Sequence, residues 1–143
     1  VYSINQEGRI EEELLQECST LDPVFVSSSR PIGMALQVAA ELYVSLDGFT
    51  LYVSNRGYKK APGARAESSI RIFSIHDQGR KLVPQGIVTG VSGPVRHFIT
   101  NDKTKTLWAP VCQDKKSCIQ TFHHNELVGE ASIDSNVFCI AHH

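Results

Sequence analysis

The chain has 143 residues, 41% hydrophobic and 20% charged, a composition that suits about one soluble globular domain and excludes disordered and fibrous classes. Lys and Arg number 14 against 15 Asp and Glu, and the formal charge of −1 removes any bulk electrostatic case for nucleic acid or an anionic membrane as partner. No apolar run approaches the roughly 18–20 residues of a membrane helix. The opening Val1-Tyr2-Ser3-Ile4-Asn5-Gln6-Glu7 lacks an initiator Met, a basic segment and an apolar core, so it reads as the interior of a longer, cytoplasmic chain and not as a signal peptide.

Taken in order, the elements are short strands. Residues 11–17 carry helix-favouring side chains, but their place in an internal repeat assigns them to an outer strand. Residues 19–38 are a long connection with Ser27-Ser28-Ser29 and two prolines. Residues 34–42, again helix-favouring by composition, are expected to be a loop entering an inner strand at 41–46. Asp47-Gly48 is a hairpin signal, and 50–55 returns as a second strand. Residues 58–68, with Lys59, Lys60, Pro62, Gly63 and Arg65, read as an exposed, mobile loop. Strands at 69–75 and 82–89 follow, joined by the turn residues Asp77-Gln78-Gly79. The scheme then repeats with strands at 95–100, 106–111, 118–123 and 127–133, and a last strand at 135–141.

The repetition is visible residue by residue. Tyr2-Ser3-Ile4 through Gly8-Arg9 reappears as Phe73-Ser74-Ile75 through Gly79-Arg80. Ala40–Asp47 lines up with Val95–Asp102, Thr50-Leu51-Tyr52-Val53 with Thr106-Leu107-Trp108-Ala109, and Ser69-Ile70-Arg71-Ile72-Phe73 with Cys118-Ile119-Gln120-Thr121-Phe122. Four antiparallel strands per unit of about 40–50 residues is the pattern of a β-propeller blade. The expected fold is therefore all-β, a partial β-propeller of about two and a half blades. Residues 1–38 would end one blade and form a long loop, 39–92 and 93–134 would each be a blade, and 135–143 would hold a ring-closing strand. Because a propeller needs about four to eight blades, N-terminal blades of the same protein are the expected structural partners. A small independent β-sandwich is the competing reading.

Cys18, Cys112, Cys118 and Cys139 are too sparse for a disulfide scaffold and contain no Cys-x-x-Cys pair, so no zinc site is expected. Cys112 and Cys118 flank a turn, and the reading favours two half-buried thiols over a disulfide. His123-His124 and His142-His143 are adjacent pairs that would point to opposite faces of a strand, poorly placed to chelate together.

The run Ala39-Ala40-Glu41-Leu42, Ser45-Leu46-Asp47-Gly48 and Leu51-Tyr52-Val53-Ser54-Asn55-Arg56-Gly57 resembles the signature of the seven-bladed propeller lactonase family, with its 6-phosphogluconolactonase-like and 3-carboxy-cis,cis-muconate cyclase members. Gly93-Pro94-Val95-Arg96-His97-Phe98 is similar to the following blade's Pro-Arg-x-Phe element. Ala109-Pro110-Val111-Cys112-Gln113 departs from the family's usual Ala-Asn-Gln. The resemblance implies the C-terminal part of a seven-bladed ring. It also implies action on a small anionic lactone or carboxylate without metal or cofactor: hydrolysis of a sugar-phosphate lactone such as 6-phosphogluconolactone, with muconate cycloisomerisation as the alternative. A propeller that only binds is the third possibility.

In that chemistry an arginine suits both a developing oxyanion and a substrate carboxylate or phosphate. The resemblance implies that Arg56, at a strand end, is a catalytic arginine facing the central cleft. A surface arginine paired with Asp47 is the other reading. Glu41 is the carboxylate on an innermost strand, hence the general-base candidate, with an inter-blade arginine pair as its structural alternative. Arg96, placed on an innermost strand, is a candidate for anion binding or an inter-blade salt bridge. Asn55 and His97 are assigned with it to substrate binding, although His97 also fits a packed, hydrogen-bonded role.

Overall fold

The computed structural model describes residues 1–21, 36–58, 67–113 and 116–133. Two short strands, β1 (Tyr2–Ile4) and β2 (Ile10–Leu14), pair antiparallel. A four-stranded sheet follows, with β3 (Leu36–Val44), β4 (Thr50–Tyr58), β5 (Glu67–His76) and β6 (Lys81–Ser92) laid side by side in chain order. The second four-stranded sheet holds β7 (Ile99–Asn101), β8 (Thr106–Gln113), β9 (Lys116–His123) and β10 (Glu126–Ile133) in the same simple up-and-down order. The described residues are all-β with no α-helix. The helix-favouring glutamates at 11–13 are exposed on β2, where cross-strand pairing of Tyr2 with Leu14 and Ile4 with Ile10 overrides propensity.

The turns follow their side chains. At the β3–β4 hairpin, Asp47 Oδ1 accepts bonds from Ser45 Oγ at 2.6 Å and the Phe49 N–H at 3.0 Å, and Gly48 takes φ +77°. Asp77, Gln78 and Gly79 all have positive φ in a single 3-10 turn between β5 and β6. His124 (φ 48°) and Asn125 (φ 71°) form the two-residue turn between β9 and β10, both in the positive-φ conformation whose twist matches the right-handed twist of the flanking strands.

Those bonds to Asp47 hold its carboxyl below the ordinary aspartate value of 3.8, the Ser45 hydroxyl first and the Phe49 amide next. A group whose folded value is depressed contributes stability that is present above the unfolded value and is lost as pH falls through the folded one. Wild type and Asp47→Asn should therefore differ in urea midpoint at neutral pH, and the difference should vanish as pH drops below 3.8. An unchanged difference at acid pH would remove the carboxylate from the turn's energetics.

Several strand limits differ from expectation. The inner strand β3 begins at Leu36, not at 41, so residues 36–42 are strand and not loop. The reason is its partner: β4 runs on to Tyr58, and the ladder pairs Leu36 with Tyr58 and Val38 with Arg56. The loop expected at 58–68 shortens accordingly, since Tyr58 belongs to β4 and Glu67 opens β5; residues 59–66 lie outside the described residues. The inner strand expected at 95–100 is only Ile99–Asn101. Pro94 brings no N–H, and the Val95 N–H binds the Ser68 hydroxyl at 3.3 Å in place of a ladder carbonyl. The strand expected at 135–141 and the pair His142-His143 also fall outside the described residues.

Strand alternation gives each sheet two faces. On β4, Leu51 and Val53 join Phe73, Cys18, Ile75 and Leu82 in a small core that backs onto the N-terminal segment. Gln16 ties that segment to β6 by donating from Nε2 to the Leu82 carbonyl at 2.9 Å and accepting the Leu82 N–H at 2.6 Å. The opposite face carries Tyr52, Ile70, Val88 and Val91 into the main core, where they meet Val95, Phe98, Leu107, Ala109, Val111 and Phe122 of the second unit. Phe98 sits between Tyr43 and Tyr52, at ring separations of 6.5 and 6.2 Å.

Asp102 stitches the hairpin ends of the two sheets together. It accepts the Leu46 N–H at 3.2 Å, the Thr100 hydroxyl at 3.1 Å and the Tyr52 hydroxyl at 3.5 Å. Burial first, and the Asp102 charge second, push the Tyr52 phenol up to about 12. Tyr52 therefore donates throughout the physiological range.

Candidate functional site

At the other end of the two sheets lie Arg56, Glu41, Arg96 and His97. The ladder shifts register between Ala39 and Leu42: Ala39 pairs with Asn55 and Leu42 with Val53, so Ala40 and Glu41 together oppose Ser54. This is a β-bulge, an extra residue that re-aims a side chain. The fully buried Ser54 hydroxyl closes it by accepting the Glu41 N–H at 2.9 Å. Glu41 Oε2 then lies 3.3 Å from His97 Nδ1, with both side chains half-buried. Among the described residues, the inter-unit contact of the Glu41 carboxylate is with His97.

Arg56 is half-buried near the end of β4, opposite Val38. Alternation along β4 puts it on the face of Ser54 and Tyr52, toward the second sheet. Arg96 is exposed and, like His97, precedes β7, so neither stands on an innermost strand as expected. One hydroxyl links the two regions. Ser68 Oγ, 1% exposed, accepts the Gly57 N–H at 2.9 Å and the Val95 N–H at 3.3 Å, and donates to the Gly93 carbonyl. The residues beside Arg56 and Arg96 thus hang from the same oxygen.

Asn55 is placed differently. It is fully buried on the opposite face of β4, where its amide donates to the Thr20 carbonyl at 2.7 Å and to Ser69 Oγ at 3.4 Å, while Oδ1 accepts the Thr20 hydroxyl at 2.9 Å. Its observed contacts hold the N-terminal segment to the sheet, and it is not brought together with Arg56.

Ser54 and Ser68 escaped sequence reasoning. The signals for both were present: a serine inside Val-Ser-Asn-Arg, and a doubled serine opening a strand.

Cys112 and Cys118 are not joined in a disulfide, and the ladder offsets them by one position, Cys112 opposite Ser117 and Cys118 opposite Val111. Burial, then Glu130, pushes the Cys118 thiol up to about 11, so it stays protonated near neutrality. The two imidazoles of His123 and His124 do not point to opposite faces. His124 belongs to the turn, and the rings meet edge to face at 4.2 Å. Among the described residues no group of three or more His, Cys, Asp and Glu is placed to hold a metal ion.

Two equivalent up-and-down sheets, packed face to face around a shared core with an inner strand leading each, are successive propeller blades. The family described as Lactonase, 7-bladed beta-propeller, matches residues 1–136. The chain belongs to the seven-bladed β-propeller lactonase family. No curated protein and no solved structure matches it. Membership supports a lactonase-type function in general terms. The two four-stranded sheets are consistent with a partial propeller, and β1 and β2 form a separate two-stranded sheet.

Proposed function

We propose that these blades work within a complete seven-bladed ring, closed with further blades of the same protein, that hydrolyses a sugar-phosphate lactone such as 6-phosphogluconolactone. The observation that carries the reading is the Glu41–His97 contact of 3.3 Å across the blade seam, formed at the same end of the sheets as Arg56 and Arg96. Hydrolysis requires a base to take a proton from water as it attacks the carbonyl carbon, and a positive group to stabilise the oxyanion that results. Glu41, aimed by the bulge and held against His97, is the base. The Arg56 guanidinium serves the oxyanion, and exposed Arg96 attracts the substrate phosphate from solvent. Collapse of the oxyanion expels the ring oxygen, which takes a proton to give the open hydroxy acid. No metal or cofactor enters this scheme.

The test is turnover by the intact protein of 6-phosphogluconolactone and, separately, of 3-carboxy-cis,cis-muconate. Lactone hydrolysis is expected, and Glu41→Gln should slow it by about 100-fold or more, the range for loss of a general base. Turnover of the muconate alone would replace the hydrolase with a cycloisomerase. Turnover of neither would leave a binding propeller.

A further inference from the structure

At the hairpin end, away from Glu41 and His97, the seam between the two blades opens into a cavity of about 390 Å³. Its walls come from these two blades alone, and the four hairpin turns at that end all lie among the described residues. Tyr52, Ile72 and Val88 of the first blade meet Leu107 and Phe122 of the second to form an apolar floor. The Tyr52 hydroxyl, the one polar side-chain atom of that floor, is already directed at Asp102. On the outer side Asn125 reaches across to the first blade. A Cβ added at Gly86 would stand 3.1 Å from Asn125 Nδ2, so the bare backbone there is what admits the amide.

The mouth has a different chemistry. Lys105, His124 and Asn125 stand there exposed, and the His124 N–H donates to the Lys105 carbonyl at 3.2 Å. Lys105 holds φ 53°, a conformation that turn chemistry gives more cheaply to glycine or asparagine. Its side chain, not its backbone, is therefore what position 105 has to explain. No carboxylate lines the cavity, and among the described residues the Lys105 ammonium makes no ion pair. Its charge reaches exposed Asp47 only as a lesser cause of that carboxyl's lowering, behind the Ser45 and Phe49 bonds. We propose that this cavity binds a small carboxylic acid, as its anion, with an aromatic or branched aliphatic body. The body displaces water from the floor, and the carboxylate stays at the mouth, accepting from the Lys105 ammonium and the Asn125 amide. The volume lies within the range of small-ligand sites, roughly 300–1,000 Å³. An amine would set its charge against Lys105, and a neutral ligand would leave that charge unused.

The site is separate from the lactone chemistry proposed above and is tested by binding alone. Calorimetric titration of the intact protein compares three probes with one ring and different charge: benzoate, benzyl alcohol and benzylamine. Benzoate should bind roughly 10-fold tighter than either of the others, the return on one charge-assisted bond. Lys105→Asn, which suits the positive φ, should hold the melting temperature within about 1 °C or raise it, yet reduce benzoate affinity to that of benzyl alcohol. Thr106→Phe, which fills the cavity from β8, should abolish binding of benzoate and benzyl alcohol together. Arg96→Ala, at the other end of the seam, should leave benzoate affinity unchanged. Absence of benzoate binding, or benzylamine binding as tightly as benzoate, overturns the proposal. So does full benzoate affinity in Lys105→Asn or in Thr106→Phe, or a loss in Arg96→Ala as large as that in Lys105→Asn. A protein that binds benzoate as described but opens no lactone would overturn the hydrolase and support this site.

Discussion

Phe98→Ala is expected to remove about 3–5 kcal/mol of unfolding free energy, the range for truncating a buried phenylalanine. Its side chain is 1% exposed and packs between Tyr43 and Tyr52 of the preceding blade. The segment that carries it lies outside any strand ladder before Ile99. Its attachment to the first blade therefore depends on side chains, this ring together with buried Val95, the Glu41–His97 contact and the Ser68 hydroxyl. Against a typical total of 5–15 kcal/mol, such a loss would leave the seam between the blades barely closed. Leu46→Ala is the natural control: Leu46 is 95% exposed, and its loss should fall within about 0.5 kcal/mol. Urea titration of both variants decides the matter. A Phe98→Ala loss as small as that of Leu46→Ala would mean that the two sheets are not packed through this ring.

The blades were readable because repetition and turn chemistry agree. Gly48, Asp77 and Gly79 adopt the left-handed conformations that their residue types tolerate, and the β-rich runs between the turns form strands buried on both faces. The ends of the inner strands were not readable, because they are set by partners distant in sequence. Leu36 is a strand residue on account of Tyr58, and Val95 is not one on account of Ser68. Side-chain hydroxyls that replace ladder bonds leave no periodic trace. The helix-favouring glutamates of β2 show the same limit from the other side, since propensity yields to pairing.

The candidate site divides in the same way. Glu41 and His97 were each visible as chemistry-bearing residues of inner segments, but their meeting was not, because it depends on a bulge that alternation does not foresee. Asn55 shows the opposite outcome. Its polar side chain inside a family motif invites a binding role, whereas burial and three hydrogen bonds tie it to Thr20 and Ser69. Its neighbour Arg56 faces the other way by alternation alone.

Arg56→Ala in the intact protein is expected to lower kcat for lactone hydrolysis by roughly 100-fold or more, as loss of an oxyanion-stabilising group does. The argument is positional. Arg56 is half-buried on the seam face of β4, and its neighbour Gly57 is held by the same Ser68 oxygen that holds the lead-in of Arg96 and His97. A charge fixed in this way needs no reorganisation as the oxyanion forms, so its benefit appears in the transition state and hence in kcat. Were its role to anchor the substrate phosphate equally in both states, KM would rise with kcat nearly unchanged. Arg56→Lys sharpens the distinction, since a lysine keeps the charge but loses the planar fork and should restore little of the kcat. Normal kinetics in Arg56→Ala with a lowered melting temperature would make the residue structural. The Glu41–His97 pair would then be left to carry whatever chemistry this seam performs.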